Sequence, residues 1–231
     1  MRSRQSGFTL VEIAIVLVII GLLLGGVLKG QELITSAKIK NLANDFNGIS
    51  TAVYAYQDRY RALPGDDAGA TRWPQITSAG TGLGDGNGLL GTGATRDAFN
   101  AAYAATAAPE TILFWTELRL SGLVSGNITE GQPVNAVGGI LGVQSGAGNP
   151  TAGATQGLGG LVACQTNVLG KLAEAMDRQL DDGKPDGGSV KAWVQTTATT
   201  AATITVLAAN VPSTTYVDDG VTAYTICKQI L

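Results

Sequence analysis

The chain has 231 residues, 45% hydrophobic and only 14% charged, with a formal net charge of −3, enough for one large domain or two small ones. An acidic chain whose longest basic cluster is Lys38 and Lys40 is an unlikely nucleic-acid binder, because phosphate contacts need clustered Lys and Arg. It has no His, which removes His-based triads, His metal sites and the commonest general acid–base group, and its two Cys cannot complete a Cys/His zinc site.

The chain opens MRSRQSGFTLVEIAIVLVIIGLLLGGVLKG, and from Phe8 to Leu28 it carries a single charge, Glu12. About 21 such residues form a helix of roughly 30 Å, the thickness of a bilayer core. Arg2 and Arg4 keep the start cytoplasmic and place everything after Lys29 outside. A cleaved secretory signal would end in small residues beyond the apolar core, whereas this core runs into Gly26-Val27-Leu28-Lys29. An ordinary anchor would not carry Glu12, since a carboxylate among Val and Ile costs several kcal/mol and needs a partner. Ser6-Gly7 followed by Phe8-Thr9-Leu10-Val11-Glu12 and unbroken aliphatics resembles the class III signal of type IV pilins and type II secretion pseudopilins. The resemblance implies that prepilin peptidase cuts between Gly7 and Phe8 and methylates the new Phe8 amine. Losing Arg2 and Arg4 leaves 13 basic against 18 acidic residues, a net charge of −5. Glu12 then lies five residues into the mature chain, where the family keeps a glutamate. The resemblance implies that it pairs with a neighbouring subunit's Phe8 amine and sets the register of assembly.

Past Lys29 no helix breaker occurs until Pro64. Leu42, Phe46, Ile49, Val53, Tyr56 and Tyr60 alternate steps of four and three, which puts them on one helix face. Residues 1–7 therefore read as a leader, 8–29 as an apolar half-helix, 30–62 as an amphipathic half-helix and 63–231 as a globular head. Leu63-Pro64-Gly65 ends the helix. Residues 65–108 form a long Gly-rich loop in which Asp85-Gly86-Asn87-Gly88 is turn chemistry, with a calcium role as the lesser alternative. Pro109 opens a short helix with Ile112, Trp115 and Leu118 inward, stopped by Ser121-Gly122. Gln132 to Val143 reads as a strand broken at Gly138-Gly139. Leu161 to Cys164 leads into a second helix from about Val168 to Leu180. After it, Asp181, Asp182 and Asp186 place three carboxylates within six residues. Like charges so close call for a counter-ion, and calcium is the candidate, against a solvated acidic turn. Strands are expected at Ser189–Val194, Ala202–Ala208 and Val221–Ile230.

Cys164 and Cys227 lie beyond the apolar run, where thiols are oxidised, and an even count favours a disulfide over two free buried thiols. The resemblance supports that pairing, since many pilins bridge a C-terminal cysteine to an earlier one. The fold expected is α+β, pilin-like: a long N-terminal helix packed on an antiparallel sheet, with short helices, local hairpins and long Gly-rich loops. The chain contains no G-x-x-x-x-G-K-[ST], no G-x-S-x-G and no dinucleotide fingerprint, so the expected role is structural and not enzymatic. The resemblance implies a type IV pilus-like or type II secretion filament subunit. Its partners would be copies of itself, other pilin-like subunits, prepilin peptidase and an inner-membrane assembly platform. It would stand in the bacterial inner membrane before assembly and in a periplasmic or extracellular filament after it. The alternative is a minor pilin or pseudopilin at a filament tip, serving priming, adhesion or substrate binding.

Overall fold

A computed structural model describes residues 9–78, 82–91, 97–103, 108–146, 157–195 and 212–231. The Gly7–Phe8 junction and the strand expected at Ala202–Ala208 lie outside the described residues. The molecule divides into two compact units, Met1–Lys38 and Ile39–Leu231.

Helix α1, Leu10–Tyr60, contributes to both units. Its start is a capping box. The Glu12 backbone N–H donates to Thr9 Oγ1 at 3.3 Å, while the Thr9 N–H and hydroxyl both donate to Glu12 Oε2 at 2.8 Å. In the first unit the large aliphatic side chains from Leu10 to Leu28 are exposed, Leu22 at 73%. Among the described residues α1 is the one helix long and apolar enough to cross a membrane. In the second unit Leu42, Phe46, Ile49, Val53 and Tyr56 are buried along one stripe, as their spacing requires. Full burial of a side chain such as Phe46 contributes about 1.5–3 kcal/mol relative to exposure. The helix stops where Arg61 turns left-handed at φ 58° and its N–H closes on Gln57 O.

The 65–108 stretch is less irregular than its composition suggests: a 3-10 turn covers Ala70–Arg72 and α2 spans Pro74–Ser78. Helix α3, Glu110–Leu120, starts after Pro109 as expected. It ends in a Schellman turn, with Gly122 at φ 74°, its N–H on Arg119 O, and the Leu123 N–H on Leu118 O. Ten consecutive residues, Glu110 to Arg119, are buried, so α3 has no solvent face. Phe114, Trp115 and Leu118 join the main core while Ile112 and Leu113 pack with Ala108 in a smaller cluster.

Four strands follow: β1 Leu141–Ser145, β2 Leu161–Leu169, β3 Val190–Val194 and β4 Ala223–Gln229, with α4, Gly170–Leu180, between β2 and β3. They form one antiparallel sheet in the order β1-β2-β4-β3. The outer pairs join strands that follow one another in sequence, but the central β2–β4 pair does not. Two expectations need correction. The broken strand at Gln132–Val143 is a turn at Asn135–Gly139 closed by a Val134–Ile140 bridge, and its pairing strand begins only at Leu141. Asn135 causes this, since its Oδ1 accepts the Val137 and Gly139 N–H groups. The second helix, Gly170–Leu180, begins two residues later than expected. The strand runs through to Leu169, across a register shift between Gln165 and Val168 where Asn167 sits at φ 61°.

The sheet alternates as strands must. Leu161, Ala163, Val190, Ala192, Tyr224 and Ile226 join the core that includes the α1 stripe, α3 and α4. Val162, Cys164, Trp193 and Cys227 form a second apolar cluster with Phe99, Ile140 and Leu158. Gln165, fully buried, ties sheet to helix by donating its Nε2 to Leu42 O at 2.6 Å. Cys164 and Cys227 face each other across β2 and β4 and are joined in a disulfide. The bridge therefore ties β4 to β2, the strand that runs directly into α4.

Candidate functional site

Among the described residues three places carry polar or ionisable groups in notable settings. The first is the N-terminal helix. Glu12 is the only carboxylate among the exposed aliphatics of its first turns, and Thr9 saturates one of its oxygens. Sequence reasoning passed over Thr9, although Thr-x-x-Glu ahead of an apolar run is a capping signature. The box fixes the helix start at Leu10, two residues from Phe8, and leaves Glu12 Oε1 for another donor.

The second is a buried polar chain at the end of α1. Tyr56 donates its hydroxyl to Asp67 Oδ2 at 2.8 Å and lies 3.0 Å from Glu117 Oε2. The Gly65 N–H donates to the same Glu117 oxygen at 2.7 Å, and Arg72 forms an ion pair with Asp67. Glu117 is fully buried and its Oε1 meets no donor. Burial drives its carboxyl up to about 8, against the pull of Gly65 and Tyr56. Asp67 is held below the usual carboxylate range: burial, its largest influence, works the other way, but Arg72, Tyr56 and Gly69 together outweigh it. Arg72 also stacks over Tyr60 and Trp73, 4.7 and 5.0 Å from their ring centres. Beside this chain lies a groove of about 820 Å³, lined by Tyr60, Arg61, Arg72, Leu89, Leu161 and the C-terminal Leu231 among others.

The third is carboxylate clustering, found in two groups among the described residues. One joins Asp66, Asp85 and Glu110. Asp66 accepts the N–H groups of Gly86, Asn87 and Gly88, and Glu110 those of Asp85 and Gly91. The Gly-rich loop thus wraps two buried carboxylates and supplies their donors. Gly84 allows the approach, since a Cβ there would lie 2.1 Å from the Asp66 backbone. Asn87 spends its Oδ1 on the Leu89 N–H and its Nδ2 on Gly91 O. The other group joins Asp177, Asp181 and Asp182, each offering an oxygen within 4.8 Å of the others. Asp186 is not in that group. Asp177, four residues before Asp181 on α4, takes its place, and that i, i+4 spacing was readable in the sequence.

Residues 2–28 match the family model of the prokaryotic N-terminal methylation motif. The chain therefore carries the class III prepilin signal of type IV pilins and pseudopilins. The motif implies processing by prepilin peptidase and pilin-like assembly, and with the exposed apolar helix it fits membrane anchoring before assembly. The match covers the N-terminal segment and leaves the head outside it. No curated protein and no solved structure shows significant similarity to the chain.

Proposed function

We propose that this chain is a structural subunit of a type IV pilus-like or type II secretion filament, cut between Gly7 and Phe8, methylated at Phe8 and assembled through its N-terminal helix. The observation that carries the reading is the methylation motif at residues 2–28, laid over a helix whose aliphatic side chains from Leu10 to Leu28 are exposed. Such a surface must be covered by lipid before assembly and by neighbouring helices after it. Each copy presents the same helix to a different patch of its neighbours, a heterologous contact that does not close and so grows a fibre. Glu12 gives that contact a register that aliphatic side chains alone lack, by accepting from a neighbour's Phe8 amine.

The second reading is a minor subunit at a filament tip, and the groove beside Tyr60 and Arg72 favours it, because a recognition surface needs a concave place to hold a ligand. Shearing cells and measuring the chain in the filament fraction separates the two. A repeating subunit dominates the sheared filaments, a tip subunit is present at trace level, and absence from them with retention in the membrane overturns both.

A further inference from the structure

We propose that the two ends of the head's sheet are complementary, so that the bend at 217–221 of one copy docks in the groove beside Tyr60 and Arg72 of the next. The contact rests on the repeating-subunit reading and names where its heads meet. The groove lies at one end of the strands, against Ser145, Leu161 and Leu231, where the end of β1 pairs with the start of β2. The bend lies at the other end. A Cβ on Gly170 would lie 1.9 Å from Val217 O, and the Gly170 N–H donates to Thr222 O. The length of β2, Leu161–Leu169, separates the two, roughly 26 Å at about 3.3 Å per residue. A bend that far from its own groove reaches only another copy's, and opposite ends of one body make a contact that does not close.

Each end carries what the other lacks. Around the bend Val217 and Val221 are exposed, Val221 at 78%, and Leu169 and Val194 are exposed where their strands end beside it. Asp218 and Asp219 are exposed between the two valines. Asp219 holds the bend by accepting the Val221 and Thr222 N–H groups, while Asp218 has no partner among the described residues. The Val217 N–H on the Tyr224 hydroxyl fixes the other side, so the bend is presented already ordered. In the groove, Leu63, Leu89 and Leu161 supply an apolar lining beside Arg61 and Arg72. Its own carboxylates are already answered, Asp67 by Arg72 and Asp66 by the N–H groups of Gly86, Asn87 and Gly88. Arg61 is not. Its one ion pair, to Asp58, is 3.8 Å long between side chains 82% and 85% exposed. Arg61 also holds a left-handed position, φ 58°, where glycine is the usual helix stop. A charged side chain kept there despite backbone strain, on the wall of an apolar groove, calls for an anionic partner. Asp218, set between exposed valines, meets both requirements.

The test is cross-linking of the full chain in filaments sheared from cells that carry prepilin peptidase. Ala68→Cys in the groove and Val221→Cys in the bend put one thiol at each end, at exposed positions, while the native cysteines are bridged and unreactive. A short bis-maleimide should join the double variant into a ladder of dimers, trimers and longer chains, and either single variant should stay monomeric. In the double-cysteine background Arg61→Asp or Asp218→Arg should lower the ladder about fivefold or more, and the two together should restore most of it. Arg61→Gly should lower it too while holding or raising Tm, because glycine suits the left-handed site; this separates the contact from folding. Filaments at parent yield that give only monomer, dimers from a single variant, or a ladder that none of the Arg61 and Asp218 variants diminishes would overturn this contact alone. Absence of the parent chain from sheared filaments, or its presence there only at trace level, would overturn the repeating-subunit reading and the contact with it.

Discussion

Glu117 shows how a single carboxyl makes the head sensitive to pH. In the folded protein it keeps its proton up to about pH 8, whereas the unfolded chain releases it near the ordinary 4.5. The folded state therefore binds the extra proton between those values, and its stability is full below about 4.5 and falls as pH rises towards 8. The groups around it are Tyr56 from α1, Asp67 and Arg72 from the segment after it, and the Gly65 N–H. Burial also raises Asp177, to about 6, below the window from pH 7 to 8.5 in which Glu117 is tested. Glu117→Gln, which keeps an acceptor for Tyr56 and Gly65, should flatten Tm between pH 7 and 8.5. An unchanged slope would mean that Glu117 is already ionised in the folded head. At the other end of the chain, Glu12→Gln should leave insertion, cleavage and head folding intact while removing most of the filament yield. Wild-type amounts of filament from that variant, expressed without the parent protein, would deny Glu12 any part in assembly.

Elements were legible where periodicity ran long and turn chemistry was strong. The α1 stripe from Leu42 to Tyr56 and the Ser121-Gly122 stop of α3 both follow from spacing and capping. The end of β2 was not legible, because Leu161–Leu169 holds polar Gln165, Thr166 and Asn167 on a strand whose partners are distant in sequence. Pairing of β2 with β4 outweighs the local pattern, and the bulge at Asn167 resets which side chains face inward. The methylation motif was readable because it is local; the burial of Asp177 and Glu117 was not, because it is set by tertiary packing. Two changes probe how the elements hold together. Gly65 sits at φ 88° with a Cβ position only 2.4 Å from Glu110 O, so Gly65→Ala should cost about 1–3 kcal/mol and lower Tm by several degrees. The disulfide closes 63 residues and spans the central strand pair, so converting both cysteines to Ala should cost roughly 4 kcal/mol. Non-reducing electrophoresis with thiol alkylation checks the bridge itself, and two alkylatable thiols in the unfolded, unreduced chain would contradict it.

On the scale of the whole molecule, the sequence divides its labour unevenly. A short N-terminal motif implies processing and pilin-like assembly, while an α+β head fixes a sheet against the buried part of α1 with Gln165 and the α1 stripe. The head also carries the groove beside Tyr60 and Arg72 and the carboxylate group at the end of α4. Assembly through Glu12, as proposed, requires removal of the leader, because the Phe8 amine that Glu12 would accept from does not exist in the uncut chain. Intact-mass spectrometry of the protein from a host with prepilin peptidase tests that step directly. The mass should correspond to a chain beginning at N-methylated Phe8 and carrying the Cys164–Cys227 bridge. A chain that still begins at Met1, or one cut beyond the apolar segment, would contradict the account.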